Sequence, residues 1–217
     1  MNDSRYETLA SLTIASHFFY RALHQAPDAH FINALYDEPM FDEWPLDMAN
    51  AKVEQGLALL KQRPNLHAAS RDYAQLFVGP NTLTAAPWGS VYLTEEQTTC
   101  GATTLAIRAF YAEHGIAIDT GEREPEDHIG LVFSFITYLL ETAFNAQVVE
   151  AAHNESLASL KAFLSDHVLT WAPRFFAIMR EGAQTEFYQG ISYLAEGTLE
   201  QLASQVNAQY NSVNLYR

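Results

Sequence analysis

From Ile129 to Leu140 nearly every residue is apolar or small. Such a run has no polar face to turn to water, so it is a helix buried over most of its circumference or a strand inside a core. Length favours the helix, because the pattern continues past Ala143 with only Glu141 and Thr142 interrupting. The preceding residues, Glu124-Pro125-Glu126-Asp127-His128, carry helix-start chemistry. Proline suits the first helical position, where its missing N–H is not needed, and acidic side chains suit the positive end of the helix dipole. A helix opening at Pro125 is therefore expected, with Asp127 and His128 at its mouth, where solvent meets core. Two uses of these residues stay open. Asp127 either caps its own helix or binds a partner. His128 shares a stripe with Leu131, Phe135 and Leu139 and is either a core histidine or a group that orients Asp127 or makes binding depend on pH.

The rest of the chain reads as helices. Leu9, Leu12, Ala15, Phe19 and Leu23 form one stripe over Ser4–Leu23. A short helix over Asp28–Tyr36 follows, then a turn over Pro39–Pro45 carrying Trp44. Helices are expected over Met48–Lys61, stopped by Pro64, and over Asn65–Phe77. Thr94 to Gln97 has capping-box spacing, so a turn or helix restarts there, and Gly101 interrupts it before Leu105–Tyr111. After the central run, helices are expected from Asn154 or Ser156 to Asp166, from near Pro173, and over Thr185–Ala208. No segment shows strand alternation. The expectation is an all-α fold, a single helical bundle of about nine to eleven helices spanning 1–217. The polar linker 115–124 is a hinge that would permit exchange of halves between protomers.

Gly79 to Val91 breaks the helical pattern with two glycines and two prolines, yet it holds Leu83 and Trp88. Trp88 therefore either plugs the core or walls an apolar groove. The formal net charge is −14 with 12 Lys and Arg, which argues against a nucleic-acid partner, because phosphate binding needs clustered cations. An acidic surface favours cationic partners such as an arginine-bearing peptide. The N-terminus lacks the basic start and apolar run of a signal peptide, no stretch reaches membrane-span length, and Cys100 is the only cysteine. A reducing cytoplasm is the expected location. Catalytic and metal motifs are missing: the 8 histidines are scattered, and there is no phosphate loop or nucleophile elbow. Glu124 and His128 have i, i+4 spacing, but Pro125 separates Glu124 from the helix. No metal or cofactor is expected. A helical enzyme using Glu126, Asp127 and His128 as acid–base groups, and a module binding a folded partner through an apolar face, are the two rival readings.

Leu76-Phe77-Val78-Gly79-Pro80 with Pro87-Trp88-Gly89-Ser90-Val91, together with Glu124-Pro125-Glu126-Asp127-His128, resemble the signature of the TorD/DmsD family of redox-enzyme maturation chaperones. The likeness extends through Phe19-Tyr20, Trp44-Pro45-Leu46, Thr104-Leu105-Ala106 and Leu215-Tyr216-Arg217, and so covers most of the chain. The resemblance implies a cytoplasmic, all-helical chaperone and not an enzyme. Its partner would be the twin-arginine signal peptide of a molybdenum-cofactor reductase subunit of dimethyl sulfoxide reductase type, whose export it delays until cofactor insertion. Transient contact with the twin-arginine translocase, and a monomer or hinge-swapped dimer, go with that role. Carried over by position, the peptide-binding residues are Tyr20, Tyr73, Leu76, Phe77, Pro87, Trp88, Pro125, Asp127 and His128. Tyr73 and Asn81 stand where relatives carry tryptophan, which alters the groove that the resemblance implies. The residues themselves suit the role: a carboxylate beside aromatic anchors matches a peptide with guanidinium groups followed by an apolar segment.

Overall fold

The computed structural model describes residues 2–38, 40–46, 49–80, 82–118, 124–146 and 149–217. It is all-α: α1 Asn2–His24, α2 Ala29–Tyr36, α3 Ala51–Leu60, α4 Leu66–Tyr73, α5 Ser90–Leu93, α6 Ala102–Glu113, α7 Ile129–Asn145, α8 Glu150–Phe163, α9 Ala172–Gly182 and α10 Glu186–Val206. Two π-helical turns, Ala74–Val78 and Leu164–Val168, extend α4 and α8. Among the described residues the only β pairing is an isolated bridge between Trp88 and His128.

α7 has the buried circumference its composition demands. Ile129, Gly130, Leu131, Val132 and Phe133 are consecutive and all buried. Burying each large apolar side chain contributes about 1.5–3 kcal/mol, so this helix anchors the bundle. α1 lies along α7, with α8 on another flank. Their contact is close because Gly130 has no Cβ: a methyl there would sit 2.7 Å from the His24 Cβ. α10 is the second organiser, packed on α3 and α9 and touching α1, α4 and α8. Asp72, buried at the end of α4, accepts the main-chain N–H groups of Gln184 and Thr185 and the Thr185 hydroxyl at 2.6 Å. It fixes the start of α10. The stripe of α1 is buried at every expected position, and Trp44 joins Phe18, Phe19 and Phe41 in one aromatic cluster.

Local expectations fail where tertiary partners intervene. The central helix starts at Ile129 and not at Pro125. The Ile129 N–H donates to the Pro87 carbonyl at 2.7 Å, and the His128 N–H closes a turn onto the Pro125 carbonyl. Of the two forms expected at Thr94 to Gln97, the turn forms, and Gln97 and Cys100, which both hold left-handed backbone with φ of 50° and 65°, keep it from continuing as helix. Gly101 does not interrupt a helix; it precedes α6 as the N-cap. α8 begins at Glu150, earlier than expected, and the irregular segment after Gly79 ends at Gly89 because Ser90 opens α5. Asn81, Pro39, Met48 and half of the expected hinge (119–123) lie outside the described residues.

α3 and α10 cross at two glycines. A Cβ on Gly56 would meet the Leu194 main-chain N at 2.8 Å and the Gly190 O at 2.9 Å. Backbone atoms cannot rotate away as side chains do. Gly56→Ala is therefore expected to destabilise the fold by about 1–3 kcal/mol, read as a lower denaturation midpoint at unchanged m-value.

Candidate functional site

The segment before α7 and the Trp88 loop are clasped together. The Gly89 N–H donates to the Asp127 carbonyl at 3.1 Å, and the Ile129 N–H to the Pro87 carbonyl. The Ser90 N–H donates to Asp127 Oδ2 at 2.6 Å. Asp127 thus caps α5, a helical turn on the other segment, and not its own helix. Trp88 Nε1 donates to Glu124 Oε1 at 2.5 Å, closing the pair from the solvent side. Gly89 lies against Trp171, whose ring a Cβ would enter at 2.7 Å. Trp171 fills the core here, whereas Trp88 is only half-buried at the rim.

Asp127 is itself 3% exposed, and its second oxygen, Oδ1, is buried with no hydrogen-bond donor among the described residues. Behind it lies a cavity of about 130 Å3 walled by Leu93, Ile107 and Trp171, with Asp166 and His167 also lining it. Glu126 is gripped by Arg108 through two hydrogen bonds of 2.5 and 2.9 Å. Partial burial acts to raise the Glu126 pKa, but the Arg108 contact outweighs it and holds this carboxyl below its ordinary value. The Tyr111 hydroxyl donates to the Glu126 carbonyl at 3.1 Å, and burial, reinforced by the nearby carboxylates, keeps that phenol protonated.

His128 is the N-cap of α7: its Nδ1 accepts the Gly130 N–H at 3.0 Å. The proton of the neutral ring is thereby assigned to Nε2. Burial, and then the neighbouring His24, pull its pKa down to about 3. It therefore stays neutral throughout the physiological range and does not tune binding there. The His128 ring also links two other expected residues. It lies 6.0 Å from Trp88 and 5.1 Å from His24, which in turn lies 5.3 Å from Tyr20.

Of the nine residues expected to bind peptide, Trp88, Pro87, Pro125, Asp127, His128 and Tyr20 are gathered on this side. Tyr73, Leu76 and Phe77 are buried, and the rings of Tyr73 and Phe77 pack against Tyr188. They join the loop through main-chain bonds from Thr84 to Gln75 and from Ala85 to Leu76 at the π-helical turn. Only Tyr20, Trp88 and Pro125 of the nine are reached appreciably by solvent. Sequence reasoning missed Ser90, Arg108 and Trp171. Arg108 carried a signal, being a lone cation in an apolar stretch of a chain with 26 acids and 12 Lys and Arg. Among the described residues there is no group of three metal-ligating side chains, and no helix long and apolar enough to cross a membrane.

A family model described as nitrate reductase delta subunit matches residues 42–177. A Haemophilus influenzae protein described as a probable Tat proofreading chaperone DmsD is 33% identical over 175 residues, covering 81% of this chain and 79% of its own. The Salmonella typhi Tat proofreading chaperone DmsD is 30% identical over 87% of this chain and 85% of its own. A chaperone protein TorD of Vibrio cholerae is 27% identical over 81% of this chain and 79% of its own. A solved structure described as a redox enzyme maturation protein of Archaeoglobus fulgidus shares the fold at TM-score 0.50 and 17% identity, covering 88% of this chain and 92% of that one.

Two outcomes follow from the clasp. Asp127→Ala strands the buried Ser90 N–H, and a loss of about 2–3 kcal/mol is expected, measured by chemical denaturation with Trp emission as probe. His128 gives a pH signature. Its folded pKa lies below the unfolded value, so its contribution is fully present above about pH 6.5 and is lost as pH falls toward 3, at up to about 1.4 kcal/mol per pH unit. His128→Asn keeps a capping acceptor without the titration, so its stability should fall less steeply over that window.

Proposed function

The chain belongs to the nitrate reductase delta subunit family, that of the TorD and DmsD chaperones, and from that membership we propose that it binds the twin-arginine signal peptide of a molybdenum-cofactor reductase subunit. It holds back export of that subunit, of dimethyl sulfoxide reductase type, while cofactor insertion and folding proceed in the cytoplasm. The role is binding and no covalent step is needed. Each acid–base candidate has a fixed commitment: Glu126 to Arg108, Asp127 to Ser90, His128 to its cap.

One observation supports this reading most: a buried carboxylate oxygen, Asp127 Oδ1, has no donor among the described residues and stands beside the half-buried Trp88. An unsatisfied buried acceptor costs free energy. A guanidinium presents two parallel N–H groups in the geometry of a carboxylate. When the loop parts, one arginine of the leader takes both Asp127 oxygens, and Ser90 gives up its bond. The apolar segment that follows the arginines lies on Trp88 and Pro87, with Tyr20 and Pro125 on the rim. Aromatic anchors of this kind carry most of the affinity in peptide sites. The net charge of −14 draws the cationic leader in.

Calorimetric titration with synthetic twin-arginine leaders tests it. Tight binding is expected, weakened at least about tenfold by Lys-Lys in the leader or by Trp88→Ala. Absence of binding to every leader would leave the chain a module for a folded partner.

A further inference from the structure

After α10 ends at Asn207, which holds left-handed backbone at φ 53°, residues 208–217 run without helix along the side of the molecule that carries the Trp88 loop. The Gln209 N–H donates to the Ser165 hydroxyl at 2.9 Å, and the Asn211 amide reaches Ser165 O and Asp166 Oδ1 in the π-helical turn after α8. The Tyr216 N–H donates to the Tyr92 carbonyl at 2.9 Å. The Arg217 guanidinium donates to the carbonyls of Leu83 and Thr84, and Arg174 Nε donates to the Arg217 backbone oxygen at 3.1 Å. These contacts sit around the candidate site: Leu83 and Thr84 lead into Pro87-Trp88, and Asp166 lines the cavity behind Asp127.

The segment is fastened in an unusual way. Its large apolar side chains, Tyr210, Val213, Leu215 and Tyr216, are 40–53% exposed. About half of each stays in solvent, so none is a core anchor, and polar bonds worth about 1 kcal/mol net apiece supply much of the hold. Segments with few buried contacts open at low free-energy cost. The strip beneath it offers main-chain carbonyls from Leu83 and Thr84 in the loop and from Tyr92 in α5, and the first two already accept a guanidinium. We infer that the edge formed by the Leu83, Thr84 and Tyr92 carbonyls is a docking strip for an extended, arginine-bearing peptide segment, which residues 208–217 occupy in cis until a client leader displaces them. This inference rests on the leader-binding reading and adds to it a second contact line and an internal competitor. Arg217 stands in for a client arginine, and Tyr216 for the main chain beside it.

Point variants in the full chain test the inference. Arg217→Ala removes the guanidinium from the strip, and Tyr216→Pro removes the N–H given to Tyr92. Each is expected to tighten the binding of a twin-arginine leader roughly five- to tenfold, with a melting temperature lower by only about 2–4 °C, the cost of losing the docked segment. In the unaltered protein the Tyr216 amide should be protected from hydrogen exchange, and a saturating leader should abolish that protection. Leader binding that is equal or weaker in both variants, or Tyr216 protection that survives saturation, overturns the inference and leaves leader binding standing. If neither the unaltered protein nor the variants bind any leader, both readings fall together.

Discussion

The hydrogen bond from the Ser90 N–H to the Asp127 carboxylate is the contact on which the arrangement of the site depends. Burying a carboxylate costs several kcal/mol unless donors replace its water. Here one oxygen is satisfied by a main-chain donor from a different segment, and main-chain bonds at Gly89 and Ile129 flank it on either side. The irregular Trp88 loop is thereby tied to the entrance of the most buried helix. Without that tie, a loop with two prolines and two glycines would have little to fix it. The tie also explains why Trp88 stays at the rim: Trp171 already fills the core behind Gly89, and Glu124 holds the indole N–H outward.

The same geometry keeps the site closed in the absence of a partner. Asp127 has an oxygen sealed from solvent and unpaired among the described residues, His128 is a neutral cap, and Glu126 is neutralised by Arg108. On the proposed reading, peptide recognition exchanges loop contacts for peptide contacts, and the contacts at stake are few and polar. A large apolar interface would hold the loop shut; two main-chain bonds and one bond to a carboxylate can be traded for a guanidinium at modest cost. The packing of α3 on α10 through Gly56 and Gly190 involves none of these contacts.

Much of the fold was legible in the chain because helical burial is periodic. The α1 stripe from Leu9 to Leu23 and the apolar run of α7 announce themselves at a spacing set by the helix, and both are buried as expected. What was not legible is tertiary. Pro125 looked like a first helical residue because nothing local reveals that Pro87 will take the Ile129 N–H. Asp127 read either as a cap for its own helix or as a binding group, because nothing local reveals Ser90 as its donor. The capping-box spacing at Thr94 allowed a turn or a helix, and the left-handed residues Gln97 and Cys100 select the turn. For the site, the family resemblance paired Trp88 with Asp127, and the two segments do meet. It did not distinguish side chains at the rim from those facing the core, such as Tyr73 and Phe77 packed on Tyr188.

The most direct trial of an Asp127–arginine pairing is a double-mutant cycle measured by calorimetry, crossing Asp127→Asn in the chaperone with arginine-to-lysine replacement in the leader. A direct carboxylate–guanidinium contact gives a coupling of about 1.5–3 kcal/mol. Additive losses, with coupling near zero, would mean that Asp127 only holds the loop in place and that the arginines are read elsewhere.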